Sequence, residues 1–484
     1  MPAPEIRFLL DDREIRTREP AGRLVLDFVR RSAQRVGTKE GCREGDCGAC
    51  TLLVGELEEV EGAPRIRYQP MTSCLMPLGE AHGRHLVTID GLSSGGALPI
   101  HREVALQGGS QCGFCTPGIV VSLAGMLLEG RPENGVTEVR RALSGHLCRC
   151  TGYRALIDAG LAIADAAPET SGDLAAQTLV EAGWLPGFLD DAPARLAQLR
   201  ADLDEPEPAP DGGVVLAGGT DLYVQQHDLH AQPVQVLAHR EGLKGIRRQN
   251  GHLRFGALTS FEALGENPQV LQLLPEMPQI LHRIASWQVR TRATLGGNLV
   301  NASPIGDMTI LLLALDADIV LRRGDDSRTQ PLKTFFKGYK VLDLAEGEVL
   351  SEILVPIFDG DTRVDFEKTS KRTCLDIATV NSAVAIRLQE GLVAEARLAV
   401  GGVAPIPLRL EATADALRGR PLSAETIARA CTVAQGEIAP ISDVRGHADY
   451  KRLLVRQHLI AHFCRLFPES VDARELDARS DAAV

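Results

Sequence analysis

The sequence predicts a multidomain protein of the α+β class. Its 484 residues suffice for two to four domains of ordinary size, and 44% of them are hydrophobic. Eight of the eleven cysteines lie within the first 150 residues. The residue pattern also changes along the chain, from a strand-rich start through a helical stretch to alternating strands and helices with glycine-rich turns. We therefore expect several structurally distinct domains.

Charge and hydropathy limit the possible functions. The net charge is −12, and non-specific nucleic-acid binding depends on Lys and Arg contacts to phosphate, so such binding is not expected. No run of about 18 apolar residues occurs, so a membrane-spanning helix is not expected. The first residues lack a basic region followed by an apolar stretch, which a secretion signal would need. The expected location is the cytoplasm.

The first 92 residues predict a small β-rich domain with one helix. Residues 5–16 alternate as a hairpin does, and residues 24–35 have helical spacing. Short strands are expected around 52–54, 66–68 and 86–89. These elements form the first predicted domain.

The remainder of the chain predicts a helical domain and two mixed domains. Thr116 and Pro117 open one helix, since proline is favoured at the first helical position, and residues 153–166 form another. The acidic, proline-rich stretch 204–210 is a linker by composition. The predicted segments are 1–92, 93–168, a linker at 169–211, 212–361, 362–470 and a polar tail at 471–484.

The first cysteine set has the spacing of a plant-type [2Fe–2S] ferredoxin. Its members are Cys42, Cys47, Cys50 and Cys74. Three thiolates come from one tight loop, and the fourth comes from a separate segment. Gly41, Gly45, Gly48 and Ala49 let backbone N–H groups approach the sulfurs closely. A zinc site is the weaker alternative, because it usually pairs one CxxC with another or with two histidines.

The second cysteine set has two pairs, each beside a predicted helix. Its members are Cys112, Cys115, Cys148 and Cys150. Two loops at helix ends can clamp one cluster, and helix N-termini favour the negative charge of thiolates. Alone, this pattern leaves zinc and a redox CxxC open; directly after a plant-type set it favours a second [2Fe–2S] cluster. Cys431 and Cys464 fit core packing.

Two glycine-rich turns lie in the middle of the chain. One reads LAGGTDL at 216–222 and the other TLGGN at 294–298. Neither fits a dinucleotide-binding fingerprint or a Walker A loop. Both can present backbone N–H groups to phosphate, and the alternative is two ordinary tight turns.

Together these features resemble the xanthine dehydrogenase family, within the molybdenum hydroxylases. The resemblance spans nearly the whole chain and includes QCGFCTPG at 111–118, HLCRCTGY at 146–153 and SPIGD at 303–307. It implies a ferredoxin-like β-grasp domain, a helical-bundle [2Fe–2S] domain, a PCMH-like α+β FAD-binding domain and a C-terminal α+β domain like that of the CO dehydrogenase flavoprotein. The order is similar to that of the small subunit in bacterial members. The molybdenum-cofactor domain is then expected on a separate chain.

The resemblance also implies the FAD contacts. By position they are Leu216, Ala217, Gly218, Gly219, Thr220, Asp221, Leu222, Tyr223, Ile284, Thr294, Leu295, Gly296, Gly297, Asn298, Asp307, Leu350 and Lys368. The two glycine turns would then lie at the FAD pyrophosphate.

Two departures from the family pattern lie close to where NAD would dock. Ile284 stands where the family usually has an aromatic residue near the flavin ring. The loop at 371–377 keeps only Asp376 where the family usually has two acids before the isoleucine.

The function implied by the resemblance is electron transfer. A molybdenum centre on a large molybdopterin-binding subunit would hydroxylate xanthine or hypoxanthine. Electrons would then pass through the second cysteine set's cluster, the first set's cluster and FAD to NAD+. A heterotetramer of two small and two large chains is implied, and no residue of this chain is expected to be a general acid or base.

Two other functions stay open. One is the same electron chain serving an aldehyde or N-heterocycle hydroxylase, and the other is a stand-alone electron carrier. Aldehyde, carbon monoxide and several heterocycle enzymes generally place the iron–sulfur and FAD modules on separate chains, so the fusion favours xanthine.

Overall fold

The chain forms two compact units. The computed structural model describes residues 4–60, 62–130, 135–170, 174–203, 213–226, 228–358 and 360–471. Unit 1 comprises Met1–Arg240 and Ser286–Ala293, and unit 2 comprises Glu241–Ala285 and Thr294–Val484. The α+β multidomain class predicted from the sequence is confirmed.

Unit 1 begins with a five-stranded mixed sheet. Its strands are β1 (Ile6–Leu10), β2 (Arg13–Thr17), β3 (Thr51–Val60), β4 (Ala63–Thr72) and β5 (His85–Val87). The order is β2-β1-β5-β3-β4, with β1 parallel to β5 and the other pairs antiparallel. A short helix, α1 (Val25–Asp27), continues into a π-helical turn at Phe28–Ser32. Phe8, Val25 and Leu52 are fully buried between this helix and the sheet.

The sequence predicts a strand through Ile89, but β5 ends earlier. Thr88 caps a helix, because its hydroxyl accepts a hydrogen bond from the Gly91 N–H and its own N–H donates to Asp11. Ile89 is therefore the first residue of that helix.

Five helices follow in unit 1. They are α2 (Ile89–Leu92), α3 (Pro99–Leu106), α4 (Thr116–Leu128), α5 (Gly135–Leu143) and α6 (Arg154–Ala166). Every residue of α4 from Gly118 to Leu127 is buried, because this apolar helix runs through the middle of the helical core. Two loops that carry cysteines precede α4 and α6, as the sequence predicts.

Two further helices form within the segment that the sequence assigns to a linker. They are α7 (Ala175–Glu181) and α8 (Phe188–Ala201). Leu179, Leu189 and Leu196 are buried, so apolar spacing outweighs the Pro, Asp and Glu content here. The acidic stretch 204–210 lies outside the described residues.

The last part of unit 1 before residue 240 carries the first glycine turn. Its elements are β6 (Val214–Leu216), α9 (Leu222–Gln225) and β7 (Val234–Val236). β6 and β7 pair in parallel, and the turn joins β6 to α9.

Unit 2 contains a five-stranded antiparallel sheet and a separate hairpin. The strands are β8 (Ile246–Gln249), β9 (His252–Gly256), β10 (Asp318–Arg323), β11 (Asp326–Pro331), β12 (Phe336–Gly338), β13 (Val341–Leu342) and β14 (Val349–Pro356). The sheet order is β11-β10-β14-β9-β8, and β12 pairs with β13. The helices of this stretch of chain are α10 (Phe261–Glu266), α11 (Pro268–Leu273), α12 (Met277–His282), α13 (Trp287–Arg290), α14 (Leu295–Val300) and α15 (Asp307–Ala314). Of these, α13 belongs to unit 1.

The C-terminal part of unit 2 is a four-stranded antiparallel sheet with three helices. The elements are β15 (Thr362–Thr369), β16 (Val380–Gln389), β17 (Leu392–Gly401), β18 (Leu408–Arg409), α16 (Glu411–Leu417), α17 (Ala424–Glu437) and α18 (Ala448–Leu466). The strands follow their order in the sequence. Cys431 is buried in the core, and Cys464 packs against it, as the sequence predicts. The predicted tail from residue 472 onward lies outside the described residues.

Candidate iron–sulfur and flavin sites

The first cysteine loop is a tight turn that directs backbone N–H groups at sulfur. Arg43, Gly45 and Gly48 have positive φ angles of 59°, 79° and 68°. The N–H of Glu44 donates to Cys42 Sγ over 3.3 Å, and the N–H of Cys42 donates to Cys47 Sγ over 3.4 Å. Such hydrogen bonds stabilise negative charge on a thiolate.

The four thiols of this set interact as two pairs. Cys42 pairs with Cys47, and the buried Cys50 pairs with the buried Cys74. The pKa of Cys42 falls to about 5, first because the Cys47 thiol donates to it, and further because backbone N–H groups do. Ser73 fixes the second pair, since its hydroxyl donates to the Cys50 carbonyl oxygen over 2.7 Å.

The second cysteine set is assembled from two loops, as the sequence predicts. Cys115 and Cys148 are buried, whereas Cys112 and Cys150 are exposed. The thiol of Cys148 lies 3.2 Å from the hydroxyl of Thr151. The side-chain amide of Gln111 donates to the Cys150 carbonyl oxygen over 3.1 Å and joins the loops. Burial raises the pKa of Cys115 to about 12.

The pairing of thiols fits [2Fe–2S] clusters better than zinc. No three His, Cys, Asp or Glu side chains among the described residues converge on one metal position. A structural zinc ion needs about four ligands on a single centre. A [2Fe–2S] cluster spreads four thiolates over two irons, two on each. The donor chemistry and the pairs Cys42–Cys47 and Cys50–Cys74 match the second arrangement.

The two cysteine loops contact each other directly. The N–H of Leu147, next to Cys148, donates to the carbonyl oxygen of Cys47 over 3.1 Å. Gly118 at the start of α4 lies so close to Gly48 that an added Cβ would overlap with its carbonyl oxygen. The loops of the two sets are therefore packed backbone to backbone.

The first glycine turn, in unit 1, is held in a close backbone contact. A Cβ added at Gly218 would overlap with the Arg292 carbonyl oxygen. Gly219 has φ +70°, and a Cβ there would lie 2.9 Å from the Leu75 carbonyl oxygen. The hydroxyl of the buried Tyr223 donates to the Gly22 carbonyl oxygen over 2.7 Å. Both glycines are thus required by the fold of the turn itself.

The second glycine turn, in unit 2, is the first turn of α14. Thr294 caps it by accepting a hydrogen bond from the Gly297 N–H over 3.1 Å. The Gly296 N–H donates to the Ala257 carbonyl oxygen over 2.8 Å, and a Cβ at Gly296 would lie 2.7 Å from the Cβ of Ala257. These two N–H groups therefore have partners within the chain, and the glycines serve close packing.

Three other predicted flavin residues also lie in unit 2. Lys368 is almost fully buried and pairs with Asp307, with Nζ 2.7 Å from Oδ2. The Asn381 amide donates to the other oxygen of Asp307 over 2.6 Å. Leu350 lies buried in β14, opposite Leu321 of β10. The structure thus brings Asp307 and Lys368 together.

Four family models match consecutive parts of the chain. They describe a 2Fe-2S iron-sulfur cluster binding domain (residues 8–79), a [2Fe-2S] binding domain (88–161), the FAD binding domain in molybdopterin dehydrogenase (192–358) and the CO dehydrogenase flavoprotein C-terminal domain (366–465). The third begins inside the predicted linker, within α8.

One similar solved structure is carbon monoxide dehydrogenase from Hydrogenophaga pseudoflava, in a form that lacks the Mo-pyranopterin moiety of its molybdenum cofactor. Its sequence is 33% identical to that of this chain. The match covers 54% of this chain and 92% of the other, with a TM-score of 0.51. This chain belongs to the molybdenum hydroxylase family.

Curated relatives in this family include enzymes with different substrates. Xanthine dehydrogenase of Blastobotrys adeninivorans is 29% identical over 92% of this chain. Aldehyde oxidase 1 of Bos taurus is 26% identical over 91% of it. This chain covers 39% and 38% of those proteins, respectively, so it spans less than two fifths of their length.

The two departures from the molybdenum hydroxylase pattern are neighbours in unit 2. The N–H of Leu375 donates to the carbonyl oxygen of Ala285, the residue after the buried Ile284, over 3.0 Å. Arg372 pairs with Asp376, with Nε 2.7 Å from Oδ1. Asp376, the acid that remains in this loop, is therefore paired with Arg372 of the same loop.

A buried charged cluster in unit 1 of this molybdenum hydroxylase chain has no counterpart in the patterns of the sequence. Arg292 pairs with Glu80, which also accepts a hydrogen bond from Arg84 over 2.8 Å. Glu80 and Arg292 are 212 positions apart, so no local spacing could indicate the pair.

Among the described residues, no helix is long and apolar enough to cross a membrane.

Proposed function

We propose that this chain is the electron-transfer subunit of a xanthine dehydrogenase. Electrons from xanthine or hypoxanthine would enter from a molybdenum centre on a partner chain. They would cross the cluster of Cys112, Cys115, Cys148 and Cys150, then that of Cys42, Cys47, Cys50 and Cys74, and reach FAD and finally NAD+. Each cluster carries one electron at a time, and the flavin collects two.

The observation that carries this proposal is the hydrogen bond from Leu147 to Cys47. Leu147 precedes Cys148 of the second set, and Cys47 belongs to the first set, so this backbone hydrogen bond links the two proposed cluster loops. A fixed backbone contact keeps the distance between two redox centres constant. It supports direct transfer between the clusters rather than two independent binding sites.

The flavin residues of the proposal are those given by the family resemblance. In unit 1 they run from Leu216 to Tyr223, and in unit 2 they include Thr294–Asn298, Asp307 and Lys368. The close packing of the first glycine turn in unit 1 and the buried Asp307–Lys368 pair in unit 2 support a preformed arrangement of these residues.

The proposed partner is a large molybdopterin-binding subunit, in a heterotetramer of two small and two large chains. None of the eleven cysteines forms a disulfide, which fits a reducing compartment, and the cytoplasm is the proposed location. NAD+ is the proposed final acceptor.

A second candidate is an aldehyde or N-heterocycle hydroxylase with the same electron chain. The resemblance to an aldehyde oxidase over 91% of this chain favours it. Substrate choice would then lie in the partner subunit, and the residues described here would act identically.

The test is to purify the tagged chain from its own cells with whatever binds it. We expect a large chain that contains molybdenum, and reduction of NAD+ when xanthine is added. Reduction with an aldehyde but not xanthine would favour the second candidate. A monomer free of molybdenum would contradict both hydroxylase proposals and would favour a stand-alone electron carrier.

A further inference from the structure

Arg292 is buried at the point where the first cluster loop meets the first glycine turn, and all of its partners belong to unit 1. Its guanidinium donates through Nη2 to the carbonyl oxygens of Leu75, over 3.0 Å, and Gly218, over 2.6 Å. It also donates to both carboxylate oxygens of Glu80, over 3.1 and 2.9 Å. Leu75 directly follows the ligand Cys74.

The side chain of Arg292 is 0% exposed. Water therefore screens the charge of its guanidinium only weakly. Its Nε has no hydrogen-bond partner among the described residues. Burying this N–H group without a partner costs free energy of desolvation. Glu80 pairs with Arg292 and Arg84, and Arg84 also pairs with Glu56, so these four charges cancel overall. The positive group that hydrogen-bonds the Leu75 carbonyl oxygen, beside Cys74, is the Arg292 guanidinium. In a dry environment this charge acts over a longer distance than at the surface.

We propose that Arg292 is a positioning residue that ties the loop of Cys74 to the flavin turn at Gly218 and raises the reduction potential of the neighbouring cluster. The inference rests on the cluster and flavin assignments of the proposed function. Reduction adds one electron to the cluster, and a nearby positive charge stabilises that added negative charge. The planar fork of arginine reaches Glu80 and two carbonyl oxygens at once, which a lysine cannot do.

The charge effect is tested by redox titration of the full chain, followed by EPR. Arg292→Gln removes one positive charge and should lower the potential of the first cluster. Glu80→Gln removes one negative charge and should raise it. At a fixed ambient potential each should change the reduced-to-oxidised ratio on the order of tenfold, which is about 59 mV for one electron.

Two internal references make the experiment specific. The double variant Arg292→Gln/Glu80→Gln keeps Arg84 and so restores the wild-type net charge, and its potential should return toward that of the wild type. The cluster of Cys112 to Cys150 should not shift in any variant. A purely structural role would shift both single variants in the same direction, and that result would overturn the proposed charge effect.

The positioning effect is tested with Arg292→Lys, which keeps the charge. We expect the cluster potential to stay near that of the wild type, while the fraction of FAD retained after gel filtration falls. Full FAD retention in this variant would overturn the positioning role. A wild-type chain without two cluster signals would instead overturn the proposed function.

Discussion

The backbone N–H of Leu147 donates to the carbonyl oxygen of Cys47 over 3.1 Å. This bond joins the loops of the two cysteine sets, although the two residues are a hundred positions apart. Behind it, Gly118 of α4 lies against Gly48, and His146 lies against the same glycine. The two cluster loops therefore form one packed backbone layer, and several expected outcomes depend on it.

Gly118→Ala should separate the two loops. The added Cβ would overlap with the Gly48 carbonyl oxygen, and overpacking of a filled core costs about 1–3 kcal/mol. We expect a loss of that size in the free energy of unfolding, and altered EPR spectra of both clusters. Gly95→Ala is the matched control, because nothing lies within 4 Å of its added Cβ. If both variants behaved alike, the close contact would be irrelevant.

Cys150→Ser should remove the EPR signal of one cluster only. Cys150 is an exposed member of the second set, while the first set is held by separate loops. The first cluster and the bound FAD should persist, as measured by EPR and by flavin absorbance. Cys464→Ser, outside both sets, should leave both signals intact. Two unchanged clusters in Cys150→Ser would show that the second ligand set is wrong.

Gly218→Ala should release FAD and spare the clusters. Its Cβ would overlap with the Arg292 carbonyl oxygen, so the turn must move. We expect a lower ratio of FAD to iron in the purified chain. Gly242→Ala, where nothing lies within 4 Å, should keep the wild-type ratio. An unchanged FAD content in Gly218→Ala would argue against a flavin role for this turn.

Stability should fall with acid through His146. Burial lowers the pKa of His146 from 6.5 to about 3, whereas the unfolded chain keeps a value near 6.5. Below pH 6.5 the unfolded state therefore binds one more proton, and stability falls by about 1.4 kcal/mol per pH unit until about pH 3. The neutral ring is held by the Ser122 hydroxyl, 2.7 Å from Nε2.

The comparison variant for this pH effect is His146→Asn, which cannot titrate. Its unfolding midpoint in urea should fall less steeply than that of the wild type between pH 6.5 and 4. Parallel curves for the two proteins would mean that His146 is not buried in its neutral form.

The grouping of eight cysteines into two sets was predictable from the sequence, because three of the first four lie in one short loop; their role as cluster ligands stays a prediction. The hairpin at 5–16 and the helices after Thr116 and Tyr153 were likewise predictable from local spacing, and the structure contains them. Local patterns failed where a capping side chain decided the outcome, as at Thr88. A linker was predicted at 169–211 from its proline and acidic residues, but buried leucines at helical spacing form α7 and α8 there.

Contacts between distant segments could not be predicted from the sequence. The Arg292–Glu80 pair joins residues 212 positions apart. The N–H groups of Gly296 and Gly297 were expected to be available to phosphate, but they donate to Ala257 and Thr294. Such partners depend on the tertiary fold and leave no periodic signal.

The cofactor content of the purified chain shows whether the two cysteine sets hold [2Fe–2S] clusters and whether FAD is bound. Iron, acid-labile sulfide and FAD should be measured together, with EPR after reduction by dithionite. The assignment of the two cysteine sets predicts two irons and two sulfides per cluster, two distinguishable [2Fe–2S] signals and one FAD per chain. A chain that binds zinc and gives no [2Fe–2S] signal on reduction would contradict it.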